Sequence, residues 1–180
     1  MAKVLTFSRE FPSYNPRAGQ PTYFREKLLH SLLLQNKIDL KSNFVKNIEL
    51  NFLAFSKGTK NHTIRAGNRW KAGDIASPRI WGSNINIKSG RKGPYHSDQI
   101  IIAPDIEIKK VWDIIIELTP NQTTILLPTE VKSQFQMLSL GEVAKNDGLE
   151  IEDFERWFNP KKKDIQFVGQ IICWNENVTY

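Results

Sequence analysis

A chain of 180 residues with 40% hydrophobic, 24% charged and 11% aromatic residues fits a single globular domain spanning 1–180 and excludes a disordered or fibrous protein. The lone cysteine, Cys173, lies in the apolar run 167–174 and excludes an intramolecular disulfide; without a signal-peptide core or roughly 20 consecutive apolar residues, a cytoplasmic protein with no membrane partner is expected. The net charge of +6 is uneven, since residues 1–92 hold 17 Lys and Arg against 5 Asp and Glu (+12), and residues 93–180 hold 8 against 14 (−6). Such a basic field attracts phosphate, which makes nucleic acids and nucleotides natural partners; a solvated basic surface is the plainer alternative.

Along the chain, residues 4–7 read as a first strand, followed by a loop punctuated by Pro12, Pro16, Gly19 and Pro21. Phe24, Leu28, Leu29, Leu32 and Leu33 recur at helical spacing and predict an amphipathic helix over 22–35. Leu40, Phe44, Ile48, Phe52 and Phe55 predict a second helix over 39–55, which Gly58 could terminate. Beyond it come short β-rich runs at 63–65, 74–81, 99–103, 107–118 and 124–127, a spacing that suggests a small barrel or curled sheet. The glycine-rich, basic stretch 82–97 reads as a lid or phosphate-contacting loop. Two short helices at 139–146 and 149–158 follow, the second with Ile151, Phe154, Trp157 and Phe158 on one face, and a buried strand at 165–174 closes the chain.

Several chemistries are excluded by motif: there is no Gly-rich loop ending in Gly-Lys-Ser/Thr, no His-Glu-x-x-His and no cysteine pair. His30, His62 and His96 are scattered, so neither a metal site nor a cofactor is expected. What carries chemical content is 57–65, Lys-Gly-Thr-Lys-Asn-His-Thr-Ile-Arg, followed by Gly67-Asn68-Arg69-Trp70-Lys71-Ala72-Gly73-Asp74. In an extended 63–65, Thr63 and Arg65 share one face while Ile64 enters the core. Lys60, in the turn after Gly58, can bring its ammonium group towards the Thr63 hydroxyl, an arrangement suited to an activated nucleophile. Packing alone explains Lys60, Thr63 and Arg65 poorly, because two cations in so short a stretch gain little from burial. Trp70 and Trp81 fit either a core or a stacking role, and Asp147 fits a helix N-cap with Glu150 as its capping-box partner.

The segment resembles the ASCH signature Gly-x-Lys-x-x-Thr-x-Arg, matched without a gap at Gly58, Lys60, Thr63 and Arg65, and 70–74 looks like the hydrophobic-x-x-Gly-Asp turn that follows it. Residues 5–9, 143–149 and 167–174 resemble the family's opening strand, helix-turn-helix segment and closing strand. The resemblance implies an α+β, PUA-like small β-barrel flanked by helices, with 12–48 as an N-terminal helical insertion and 82–97 as a second insertion. It also implies a cleft for RNA or a modified nucleoside. Some compact members remove the acetyl group of acetylcytidine, using the motif lysine and threonine with a glutamate; others are described as RNA-binding or ribonuclease-like. The glutamate's place falls on Asp147, whose missing methylene shifts the carboxylate enough to cost about a hundredfold in rate.

Three functions follow as expectations. In the first, a binding module, Gly58 shapes the turn, Arg65, Lys60, Arg69 and Lys71 hold phosphate, and Trp70, Trp81 or Tyr95 stacks on a base of RNA, other single-stranded nucleic acid or a modified nucleoside. The second is a hydrolase of an acylated nucleobase, with Thr63 as nucleophile, Lys60 as proton shuttle and Asp147 as orienting carboxylate. The third is an interaction scaffold that uses the inserted helices. The sequence leaves the oligomeric state open.

Overall fold

The computed structural model describes residues 1–46, 57–82, 96–130, 133–161 and 163–180. The fold is α+β with mostly β content. In chain order the elements are β1 (Lys3–Phe7), α1 (Phe24–Leu34), α2 (Asn43–Lys46), β2 (His62–Ala66), β3 (Ile75–Trp81), β4 (Gln99–Ile101), β5 (Ile106–Glu107), β6 (Lys110–Leu118), β7 (Thr123–Pro128), β8 (Phe135–Leu138), α3 (Leu140–Asp147), α4 (Ile151–Phe158) and β9 (Ile165–Cys173).

Strand β3 organises the smaller sheet: β1 lies parallel on one side, and β4 and β5 pair antiparallel with it on the other. Pro78 sits mid-strand without an N–H to donate, which would break an ordinary central ladder. Here it falls between the β5-paired half (Ile75, Ala76) and the β4-paired half (Arg79 to Trp81), and its carbonyl accepts from Ile102 N–H at 3.1 Å. The larger sheet runs β2-β9-β6-β7-β8, all antiparallel. Its spine is the full-length pairing of β6 with β9, from Lys110 opposite Cys173 to Leu118 opposite Ile165. In β6 the alternation is clear: Ile114, Ile116 and Leu118 are buried, and Asp113 and Glu117 exposed.

The sheets do not close into the small barrel expected from strand spacing. Among the described residues the larger sheet ends at β2 on one side and β8 on the other, while β1 is committed to β3. A barrel requires its first and last strands to meet with consistent stagger, and these two edges belong to strands of only five and four residues. One core nevertheless joins both sheets, drawing Leu5, Phe7, Ile80, Ile114, Ile116 and Ile171 together with the buried stripe of α1.

Helix α1 begins two residues later than the pattern predicts, because the Thr22 hydroxyl donates to the carbonyls of Ser8 and Arg9 and so ties the helix entry to the end of β1. It ends in a left-handed turn at Asn36, with Lys37 N–H on the Leu32 carbonyl and Asn36 N–H on the Leu33 carbonyl. Leu28, Leu29 and Leu32 are fully buried, as the spacing predicts. Of the predicted helix 39–55, the stretch 43–46 is helical and 47–56 lies outside the described residues. The predicted loop 82–97 also lies largely outside them, at 83–95. Ile151, expected on the buried face of α4, is 48% exposed; Phe154 carries that face alone at full burial.

Gly169 lies opposite Ala66 of β2 and Ile114 of β6, where a Cβ would meet the Arg65 carbonyl at 2.3 Å and the Phe167 ring at 2.7 Å. Gly169→Ala should therefore destabilise the fold by about 1–3 kcal/mol, as overpacking does. An unchanged urea midpoint would show that β2 and β9 do not approach this closely.

Candidate functional site

The site is assembled at the C-terminal end of α3. Ser139 caps the start of this helix, accepting from Glu142 N–H, and Gly148, with φ +77°, ends it. A Cβ at Gly148 would lie 3.3 Å from Lys60 Cβ and 3.4 Å from the Thr59 carbonyl, so a glycine here lets segment 59–61 close over the helix end. The closing residues take up the helix's orphan carbonyls. Asn61 N–H donates to the Asn146 carbonyl at 2.8 Å, Lys60 Nζ to the Asp147 carbonyl at 2.5 Å, and Lys27 Nζ to the Gly148 carbonyl at 2.6 Å. Two ammonium groups thus sit where the helix dipole is negative.

Lys60 is 1% exposed. Its backbone is fixed on both sides, by Lys60 N–H on the Lys27 carbonyl at 3.1 Å and by Trp174 Nε1 donating to the Lys60 carbonyl at 3.1 Å. Its ammonium group pairs with Asp147 Oδ1 at 2.6 Å and lies 4.2 Å from the centre of the Phe24 ring and 5.6 Å from that of Phe7. Burial pulls the Lys60 amine down to about 8, with the Asp147 charge opposing, while burial raises the Asp147 carboxyl against the opposing Lys60 charge. Both groups are therefore pushed towards neutrality, and their contact is what keeps them charged.

Strand β2 supplies the rest of the motif. Ile64 enters the core as expected, Thr63 is buried, and Arg65 on the same face as Thr63 is half-buried. The Arg65 guanidinium donates to the Thr6 carbonyl and lies 5.9 Å from the Phe7 ring centre, so Lys60 and Arg65 flank one aromatic ring. The Thr63 hydroxyl has no hydrogen-bond partner among the described residues. His62 is fully buried: Nε2 meets the Tyr180 hydroxyl at 2.8 Å, while Nδ1 has no hydrogen bond and lies 3.8 Å from Asp147 Oδ1. Burial and then the Lys60 charge hold its pKa well below the usual histidine range, so His62 is neutral.

The other sequence candidates separate from this centre. Gly58 is exposed with φ +88°, and its carbonyl lies 3.1 Å from His30 Nδ1. Arg69 and Lys71 are exposed in the turn between β2 and β3, where the Asp74 carboxylate accepts from Lys71 N–H and from Lys3 Nζ. Trp70 is 2% exposed, its ring overlaid by Lys3 and Arg69 at 5.4 Å and 5.7 Å; a ring so covered serves the core and offers no face to a base. Trp81, at the end of β3, is half-buried, and Tyr95 lies outside the described residues. The reading of Asp147 as an N-cap is overturned: it is the last residue of α3, and Glu150 occupies the N-cap of α4 without a side-chain capping bond. Among the described residues no group of three or more His, Cys, Asp or Glu side chains could hold a metal ion.

Sequence reasoning missed Lys27 and the aromatic pair Phe7 and Phe24. In the sequence they read only as parts of an amphipathic helix and a strand, and nothing local marks their meeting with Lys60. The Gly148 that follows Asp147 was the usable signal, since a helix-ending glycine places the preceding carboxylate beside exposed carbonyls that a cation can share.

Asp147→Ala should cost about 3–5 kcal/mol in urea unfolding, because it strands a buried ammonium group; a loss below about 1 kcal/mol would exclude Asp147 as the counter-ion of Lys60. The pH response has a definite sign. Folded Lys60 releases its proton near 8 and the unfolded chain near 10.5, so unfolding takes up a proton in that window and Lys60 makes the fold gain stability from pH 8 to 10.5. Comparison of wild type with Lys60→Met across that range should show the gain only in the wild type; parallel curves would place the Lys60 pKa near its ordinary value.

No protein-family model matches the chain, and neither a curated protein nor a solved structure matches it significantly.

Proposed function

We propose that the chain is an ASCH-type, PUA-like domain, with its barrel opened into two sheets, that binds RNA, other single-stranded nucleic acid or a modified nucleoside at the Lys60–Arg65 face. The observation that supports this reading most is a cluster of cations: Lys27 and Lys60 both donate to carbonyls at the end of α3, and Lys60 and Arg65 both lie at the Phe7 ring. Burial lowers the pKa of both Lys60 and Arg65, the Asp147 charge opposes it, and the neighbouring charges of Arg65 and Lys27 on Lys60, and of Arg69 on Arg65, lower them further. A fold that places four cations in mutual repulsion, with Asp147 as the carboxylate paired to their centre, gains most when an anion joins them. Lys60 itself is sealed, so direct phosphate contact falls to the exposed Arg69, Lys71 and Lys57, with Arg65 orienting the ligand and the half-buried Trp81 at the end of β3 as the candidate stacking ring.

A second reading, hydrolysis of an acyl group from a modified nucleobase, is favoured by one distance. Asp147 Oδ1 reaches Lys60 Nζ at 2.6 Å, so the shorter side chain needs no extra methylene to engage the lysine. With its amine near 8, a minor fraction of Lys60 is neutral at pH 7 and can accept a proton. In this chemistry Thr63 Oγ attacks the acyl carbon and its proton passes to Lys60. The leaving amine takes that proton as the C–N bond breaks, and water then hydrolyses the threonine ester to regenerate the hydroxyl and release the acid.

Fluorescence anisotropy with labelled RNA and single-stranded DNA tests the first reading. Arg69→Ala and Lys71→Ala should each weaken binding and reduce the slope of log K against log salt by about one. No detectable binding at about 50 mM salt, where phosphate contacts are strongest, would end the polymer-binding reading. For the second reading, any release of acetate from acetylcytidine should vanish in Thr63→Ala and should not rise in Asp147→Glu, whose longer side chain has no gap to fill. Turnover that survives Thr63→Ala would remove Thr63 as nucleophile.

A further inference from the structure

Strand β8 ends the larger sheet, and the pairing of its inner side fixes what its outer side offers. Thr129 N–H donates to the Gln134 carbonyl, and Pro128, which lacks an N–H, lies opposite Phe135. Hydrogen-bonded pairs alternate along an antiparallel ladder, so Gln134, Gln136 and Leu138 point their backbone groups at β7. The N–H and C=O of Phe135 and Met137 therefore point away from the sheet, with no strand beside them among the described residues. These two side chains are also among the more exposed large apolar groups of the protein, Phe135 at 48% and Met137 at 69%. Edge strands are ordinarily protected by a lysine, a proline or a bulge. Residues 133–139, Ser-Gln-Phe-Gln-Met-Leu-Ser, contain no charge and no proline.

We propose that β8 is a self-association edge, at which two copies of this chain pair antiparallel about a two-fold axis through Gln136. The proposal stands independently of the nucleic-acid and hydrolase readings. The register is set by symmetry. With Gln136 facing Gln136 of the second copy, Phe135 of each copy faces Met137 of the other as a hydrogen-bonded pair, and all four outward backbone groups of each strand are satisfied at once. The same register sets each phenyl ring against a thioether on the outer face, a favourable cross-strand pair. A neutral edge incurs no like-charge repulsion when it meets itself, which a heterologous basic or acidic peptide could not exploit. Four residues a side bury far less than the roughly 1,600 Å² of a standard interface, so the dimer is weak and forms at high micromolar concentration.

Sedimentation equilibrium across about 5–500 µM should show a monomer–dimer equilibrium, with the dissociation constant raised at least tenfold, or about 1.4 kcal/mol, by Met137→Lys. Site-specific crosslinking tests the register without relying on affinity. The Cα atoms of a non-hydrogen-bonded antiparallel pair lie about 4.5 Å apart, within disulfide range, so Gln136→Cys should form a disulfide-linked dimer under mild oxidation. Gln134→Cys, which faces Leu138 of the second copy, should not crosslink under the same conditions; the native Cys173 is buried and does not compete. A protein monomeric throughout the range, or a dimer insensitive to Met137→Lys, overturns the proposal, as does equal crosslinking at 134 and 136. Crosslinking at 136 alone supports it even where Met137→Lys fails to fold.

Discussion

The structure depends on how one helix end is satisfied. Helix α3 finishes against the body of the protein, with Asp147 and Gly148 buried and Asn146 half-buried, and the carbonyls of all three take a donor from a segment distant in sequence. Two of the three donors are lysine ammonium groups, Lys60 and Lys27. A neutral donor could satisfy a carbonyl as well. A cation adds attraction to the helix dipole and to the Asp147 carboxylate, and in return has to be desolvated. The fall of the Lys60 amine to about 8 shows that desolvation outweighs these attractions. Hydrophobic side chains in the same space would be no less stable on physical grounds, so the charge is retained at some expense. A buried lysine of depressed pKa paired with a carboxylate is found at functional sites and in structural ion pairs alike, and it is what the functional proposal rests on.

Much of the fold was legible in the sequence where a single period dominates. The stripe of Leu28, Leu29 and Leu32, the alternation of β6 and the apolar run of β9 fixed their elements to within two or three residues. Legibility failed where local signals conflict with long-range partners. Strand β8, Phe135–Leu138, was missed because its side chains are mostly exposed and Gln134 and Gln136 interrupt any apolar run. The barrel was over-read because strand spacing counts strands but does not say which edges meet; β1 joins β3 in parallel, a partner that spacing cannot name.

The site shows the same division. Lys60, Thr63 and Arg65 stood out as residue types that packing explains poorly, and the structure pairs Lys60 with Asp147 and brings the Arg65 charge within its reach, with Thr63 buried in the same strand as Arg65. Composition could not foresee that Lys60 would be sealed beneath Phe7 and Phe24, since each lies tens of residues away. Nor could it foresee that Trp70 would be spent on the core. Aromatic residues beside cations look alike in sequence whether the cations cover the ring or frame it for a ligand, and here Lys3 and Arg69 cover it.

The position of β9 in the sheet sets the order in which the molecule can be built during synthesis. Among the described strands it is the last in chain order, yet it lies between β2 and β6, two strands made far earlier. Until residues 165–173 emerge, β2 has no ladder to join and Trp174 cannot hold the Lys60 carbonyl. A nascent chain that has made β6 but not residues 165–173 therefore carries an unpaired β6 edge and an unpaired β2, and non-local pairing of this kind closes slowly. The charged centre thus gains its last supports, the β2–β9 ladder and the Trp174 bond to the Lys60 carbonyl, only when the C-terminal strand is in place.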